Sequence, residues 1–181
     1  MTPAIILMIA IAVIAAAALI WAISTTNRFK VLLIKITEAD SGIDVALTKR
    51  YDTLTKLIDV VKAYAKHETE LFERVINLRS GMSMSEKSEV NLAMDTAAKQ
   101  INLLAESYPE LRSSENYKQL QAAIVDAEDH LQAARRVYNM NVSAFNQAIV
   151  MFPASLLARK HSPKEFFEAE EIKQTDVRIK L

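Results

Sequence analysis

Residues 4–23 form an unbroken run of twenty apolar side chains. As a helix they would be about 30 Å long, the thickness of the hydrocarbon core of a bilayer. This run therefore predicts a single transmembrane helix within residues 1–27. A cleaved secretory signal is the alternative interpretation, but such signals begin with cations and have an apolar core of only about 7–15 residues. The chain has neither feature.

Beyond the span, apolar residues recur every three or four positions in three long stretches, which is typical of amphipathic helices. The first stretch runs from about residue 29 to residue 78, and its stripe is Leu47, Tyr51, Leu54, Ile58, Val61, Ala65, Phe72 and Val75. The second stripe is Val90, Met94, Ala97, Ile101, Leu104 and Tyr108. The third stripe is Tyr117, Leu120, Ile124, Ala127, Leu131, Ala134, Tyr138, Asn141, Phe145, Ala148 and Phe152. These patterns predict an all-α chain.

Local signals at the ends of these stretches set the helix boundaries. Gly81 suits a left-handed residue after the first helix, and Ser83 with Glu86 forms a capping-box pattern before the second. Pro109 and Pro153 end the second and third helices. Short loops favour an antiparallel bundle of three long helices with coiled-coil-like packing. A break at residues 24–27 would separate the span from the first helix.

A short C-terminal helix is predicted from Pro163 to about Glu171, because Ser162 and Glu165 supply a capping pattern and proline favours a first turn. The bundle would thus occupy residues 28–172. Residues 173–181 form a tail that either lies against the bundle or is free for a partner to bind by strand addition.

Charge and composition restrict the location and the class of function. No charged residue precedes Arg28, whereas Arg28, Lys30 and Lys35 closely follow the span. The positive-inside rule therefore places the N-terminus outside and the bundle in the cytoplasm. The net charge is +0, which argues against nucleic-acid binding, since phosphate recognition needs a basic surplus. Cysteine is absent, which excludes disulfides and thiolate chemistry.

The sequence predicts no catalytic, cofactor or metal site. A di-iron bundle needs Glu-x-x-His, but Tyr64, Ala127 and Ala158 precede the three histidines by three positions. The histidine-rich zinc motif and Gly-rich phosphate loops are also missing. The acidic cluster around His130, at residues 126–130, fits a solvated helix face better than a weak cation site.

Polar residues on the third helix form a candidate interaction patch. Its members are Arg135, Arg136, Tyr138, Asn139 and Asn146. Arginine and tyrosine are favoured at binding hot spots, so the patch suits a protein partner or a second copy of the chain. In the alternative interpretation Tyr138 is a core residue and the arginines form exposed ion pairs with neighbouring carboxylates.

Several segments resemble segments of the LemA family and follow one another in the same order along the chain. They are Arg50–Asp52, Val61–Glu68, Tyr108–Arg112, Ala134–Asn139 and Phe167–Glu171. The resemblance covers about residues 40–172. It implies a bacterial protein with an N-terminal span and an antiparallel bundle of long helices, and it points to membrane organisation rather than to a reaction.

We therefore expect a non-enzymatic scaffold or interaction protein in the bacterial cell membrane, which needs the lipid bilayer, no cofactor and a protein partner or self-association. The alternative is a sensory or ligand-binding bundle of a membrane signalling system, which a defined apolar pocket with convergent polar groups would favour.

Overall fold

A computed structural model describes residues 3–64 and 81–167 of the chain. It contains four α-helices and one 3-10 turn: α1 (Pro3–Tyr64), α2 (Met84–Ser107), α3 (Pro109–Ser113), α4 (Glu115–Val150) and the turn Ala154–Leu156. No strand occurs in the part of the chain that is described. The predicted all-α class is confirmed.

Helix α1 continues without interruption from the apolar span into the bundle. The predicted break at residues 24–27 is absent. The Thr26 hydroxyl donates to the carbonyl oxygen of Ala22, 2.8 Å away, and so bonds within the helix instead of competing with it. Gly42 also lies inside the helix, as a lone glycine without a neighbouring proline can.

Contacts divide the described residues into two compact units. The span unit contains residues 3–38 and 140–164. The core unit contains residues 39–64, 81–139 and 165–167. Helices α1 and α4 each contribute to both units, whereas α2 and α3 belong entirely to the core unit.

The core unit is built on the predicted apolar stripes. Leu57 and Val61 of α1 are fully buried in one cluster with Met94 and Ile101 of α2 and Ile124 of α4. Burying such a side chain contributes about 1.5–3 kcal/mol, so tertiary packing dominates the stability of these helices. The third stripe deviates at its end, because α4 stops at Val150 and leaves Phe152 82% exposed.

Two ion-pair groups fix the direction of α2 relative to α1. Lys87 contacts Asp40 and Asp44, and Arg50 contacts Asp95. The earlier residues of α1 thus pair with the earlier residue of α2, and the later residue of α1 pairs with the later one. These two helices therefore run parallel. The predicted antiparallel arrangement does not hold for this pair, since an antiparallel register would allow only one of the two groups to form.

Helix α4 runs antiparallel to α1 in the core unit. Lys49 of α1 pairs with Asp126 of α4, whereas the earlier residue Asp40 lies close enough to the later residue Tyr138 to influence its hydroxyl. Within the span unit, the Asn141 amide donates to the carbonyl oxygen of Lys35, 3.2 Å away. Helices α1 and α4 therefore lie alongside each other within each unit.

The predicted helix starts agree with the structure. The backbone N–H of Ser83 donates to Glu86 Oε2 at 2.7 Å, and the N–H of Glu86 donates to Ser83 Oγ at 3.2 Å, which completes the capping box. Gly81 has a φ of 79°, the left-handed region that glycine favours. Ser114 accepts the Tyr117 N–H and starts α4.

The C-terminal prediction is wrong over its described part, because residues 163–167 are not helical. Backbone groups of Lys164 and Phe167 bond to side chains of α4 instead of to each other. Tertiary hydrogen bonds thus override the local capping signal. Residues 168–171 and the tail at 173–181 lie outside the described residues.

Candidate interaction site

Two asparagines of α4 hold the main chain of a short segment, residues 164–167, which we call the docked segment. In the span unit, Asn146 Nδ2 donates to the Lys164 carbonyl at 2.9 Å, and the Lys164 N–H donates to Asn146 Oδ1 at 2.8 Å. In the core unit, Asn139 makes the same pair of bonds with Phe167, at 3.0 and 2.9 Å. Each amide therefore satisfies one donor and one acceptor, as a neighbouring strand would.

Tyr138 and Arg135 add further contacts with the docked segment in the core unit. The Tyr138 hydroxyl donates to the Glu165 carbonyl at 3.0 Å. Burial, followed by the charges of Asp40 and Glu165, raises the pKa of Tyr138, so its hydroxyl remains a donor at neutral pH. The Arg135 guanidinium lies 5.3 Å from the ring centroid of Phe167, a cation–π contact with a ring that is only 1% exposed.

Four of the five predicted patch residues therefore contact the docked segment of their own chain. The exception, Arg136, is exposed and makes no hydrogen bond or ion pair with any described residue. The contacts at the site are hydrogen bonds between α4 side chains and main-chain atoms, together with the buried ring of Phe167 beside Arg135. Binding of another protein by this patch stays a prediction.

Two buried cations form a second polar group, in the core unit. Arg50 is 3% exposed and donates to Asn91, 2.5 Å away, and to Asp95. Lys87 is 2% exposed and lies 2.5 Å from Asp40 and 2.7 Å from Asp44. Burial alone would lower the pKa of Lys87, but hydrogen bonds and attraction from both carboxylates outweigh it, so the pKa is raised.

One member of the predicted acidic cluster on α4, Asp126, forms an ordinary surface ion pair. Asp126 lies 2.6 Å from Lys49 and 3.6 Å from His130, and all three side chains are exposed. The hydrogen bond and charge of Lys49 lower the pKa of Asp126. No group of three or more metal-ligating side chains occurs among residues 3–64 and 81–167. His67 lies outside them.

The apolar part of α1 has the properties of a membrane anchor. Of the described helices, α1 is the one long and apolar enough to cross a bilayer, and its apolar window is unburied. Side chains such as Ile14 and Ile20 are 68% and 69% exposed. In water such a surface would be strongly unfavourable, so the helix is compatible with a single-pass anchor.

Comparison with known proteins decides the family. The family model for LemA matches residues 39–181. The chain belongs to the LemA family. It is 31% identical over 150 residues to Protein LemA of Metamycoplasma hominis, an alignment that covers 79% of this chain and 68% of that protein. It is also 33% identical over 55 residues to Magnetosome protein MamQ of Magnetospirillum gryphiswaldense, covering 30% of this chain and 20% of that protein.

The predicted resemblance is thus confirmed. The residues matched to the LemA family begin after the apolar part of α1 and include Arg50, Lys87, the α4 patch and the docked segment. The polar contacts described above therefore belong to the family-matched part of this LemA-family chain.

Sequence reasoning missed the docked segment and both buried cations. Arg50 follows Leu47 by three positions and precedes Leu54 by four, so it occupies a stripe position. Lys87 likewise precedes Val90 by three. The spacing therefore carried a signal for their burial, but a charged residue is rarely buried without a partner, and the partners lie on another helix.

Proposed function

We propose that this LemA-family chain is a single-pass protein of the bacterial cell membrane whose helical bundle organises other proteins, or further copies of itself, without catalysing a reaction. The observation that carries the proposal is the continuity of α1, which contains both the exposed apolar run and the buried core residues Leu47, Leu54 and Leu57. A bundle built on the same helix as a span remains at the bilayer surface.

The contacts to partners come from the exposed face of α4 in the core unit. Arg136 is exposed and Val137 is 48% exposed. Arginine is enriched at protein interfaces, where its planar guanidinium recognises carboxylates bidentately. The neighbouring Arg135 and Asn139 contact the docked segment, whereas Arg136 bonds to no residue within 3–64 or 81–167. In this proposal Arg136 therefore binds the partner.

The bundle lies on the cytoplasmic side in this proposal. Arg28, Lys30 and Lys35 follow the apolar run, and no charged residue precedes it. The end of a span that is followed by Lys and Arg residues usually lies on the cytoplasmic side. The partners are therefore cytoplasmic proteins, or cytoplasmic parts of other membrane proteins.

Site-specific photo-cross-linking in intact cells tests the interaction. A benzophenone amino acid replaces Arg136 in the full chain, and the matched control replaces Leu103 of α2, which is 66% exposed. We expect a discrete adduct from position 136 that position 103 does not give. An adduct of twice the chain mass identifies self-association. Equal adducts at both positions, or none at either, would contradict a specific surface on α4.

Protease treatment of intact spheroplasts tests the side of the membrane independently. The cytoplasmic assignment requires that the bundle resist digestion until the membrane is permeabilised. Digestion in intact spheroplasts would place the bundle outside and would favour the sensory alternative.

A further inference from the structure

The last residue of α4 and the segment that follows it expose several large apolar side chains. They are Val150 (68% exposed), Met151 (58%), Phe152 (82%), Leu156 (56%) and Leu157 (37%). Five of the eight residues from 150 to 157 are therefore large, apolar and open. Contiguous apolar surface of this kind marks a protein or membrane contact in native proteins.

A cavity places this segment beside the end of the span. It has a volume of about 340 Å³, and Trp21 and Thr25 of α1 line it together with Met151, Phe152 and Pro153. Because the apolar run ends at residue 23, these side chains lie at the level where hydrocarbon gives way to headgroups. Tryptophan is itself enriched at this level.

The span unit is strongly basic although the chain as a whole is neutral. Its described residues include one acidic side chain, Glu38. They also include six exposed basic side chains: Arg28, Lys30, Lys35, Arg159, Lys160 and Lys164. Clusters of about four to eight such residues beside a span typically bind anionic lipid.

Half of this cluster is assembled by the fold and cannot be seen as a cluster in the sequence. The His161 ring packs at 5.4 Å from the Phe29 ring and at 5.8 Å from the Phe145 ring, measured between centroids. This contact brings Arg159 and Lys160 close to the juxtamembrane turn of α1, where Arg28 and Lys30 lie.

We propose that residues 150–157, together with the basic residues of the span unit, form a second membrane-contacting surface that prefers anionic lipid. The apolar side chains enter the boundary between headgroups and acyl chains, and the cations bind anionic headgroups around them. Apolar residues flanked by cations are typical of elements that lie in the membrane interface. This inference rests on the membrane anchoring proposed above.

Tryptophan fluorescence in the full chain tests the inference, because Trp21 is the single tryptophan. The protein is reconstituted into vesicles of phosphatidylcholine and phosphatidylglycerol that contain lipid with a nitroxide at a shallow acyl position. Trp21→Phe/Phe152→Trp reports on the segment, and Trp21→Phe/Val125→Trp is the control, since Val125 is 58% exposed in the core unit. We expect position 152 to lose most of its emission, as Trp21 does, and position 125 to lose little.

The outcomes separate the two proposals. Quenching at position 152 no stronger than at position 125, with Trp21 of the unchanged protein still quenched, overturns the second surface and retains the anchor. A failure to quench Trp21 overturns the anchor itself. A third outcome is that the nitroxide does not quench the emission at position 152, but the emission changes when the protein is diluted in lipid. This result would assign the segment to contact with a second copy and would also overturn the proposal.

Charge reversal tests the preference for anionic lipid. Arg159→Glu/Lys160→Glu is combined with the reporter at position 152, and Arg112→Glu/Lys118→Glu of the core unit is the matched control. We expect the first pair to reduce quenching in vesicles with phosphatidylglycerol and to have little effect in phosphatidylcholine alone. Equal behaviour of both pairs in both lipids would overturn the anionic preference.

Discussion

Replacing Asn139 by alanine should weaken the attachment of the docked segment without unfolding the bundle. The substitution removes two hydrogen bonds to the main chain of Phe167. At about 0.5–1.5 kcal/mol each, they contribute about 1–3 kcal/mol to keeping the segment closed. Burial of the Phe167 ring, which is 1% exposed, contributes about 1.5–3 kcal/mol more. Local opening should therefore become easier, while α1, α2 and α4 keep their shared apolar cluster.

Hydrogen exchange measured on the full chain in detergent micelles provides the assay. The Phe167 amide is protected because it donates to Asn139 Oδ1. A change of about 1–3 kcal/mol in the free energy of opening corresponds to exchange roughly 5- to 150-fold faster at this amide. Exchange of α2 amides, such as that of Ile101, should stay unchanged. Gln132→Ala, at an exposed position of the same helix, is the matched control.

Asn139→Asp sharpens the test. A carboxylate still accepts the Phe167 N–H but repels the Phe167 carbonyl, so opening at neutral pH should be at least as easy as in Asn139→Ala. Below about pH 4 the protonated acid can donate, and protection should partly return. Unchanged exchange at Phe167 in both variants would refute the reasoning, as would equal acceleration of the α2 amides.

Three further predictions concern the core unit and can be followed by urea unfolding in micelles. Arg50→Met should lower the free energy of unfolding by about 2–4 kcal/mol, because Asp95 is left charged and mostly buried, and Arg50→Met/Asp95→Leu should recover most of the loss. Gly42→Ala should raise the free energy of unfolding by roughly 1 kcal/mol, because an added Cβ meets nothing within 4 Å and alanine favours the helix. Gly81→Ala should lower the free energy of unfolding by about 1–2 kcal/mol, because the φ of Gly81 is positive. The pKa of Lys87 in the folded state is raised above 10.5. The stability that charged Lys87 contributes should therefore be fully present below pH 10.5 and be lost as the pH rises through its folded-state pKa. The stability difference between the unchanged protein and Lys87→Met should accordingly shrink only at strongly alkaline pH.

Local signals predicted much of the helical structure because they act within one or two turns. The capping box at Ser83 and Glu86, the left-handed Gly81 and the stripe through Met94 and Ile101 all appear as expected. Each depends on neighbours that are adjacent in sequence, so no knowledge of the tertiary fold was needed.

Features that depend on distant partners were not predictable in the same way. The parallel direction of α1 and α2 is set by Arg50 and Lys87 with carboxylates 40 or more positions away. The segment after Pro163 carries a helix signal, yet its backbone bonds to Asn139 and Asn146 instead. Four residues of the predicted α4 patch contact residues 164–167 of their own chain, which the sequence did not reveal, and binding of a partner by the patch stays a prediction.

The polar side chains of α4 recognise the docked segment by its main chain. Asn139, Tyr138 and Asn146 bond to backbone atoms of Phe167, Glu165 and Lys164, respectively. These bonds do not depend on which side chains residues 164–166 carry, so relatives are free to differ there. Proline at position 164 is the exception, because it would remove the N–H that donates to Asn146 Oδ1. Across relatives, we therefore expect varied side chains at residues 164–166 but no proline at 164.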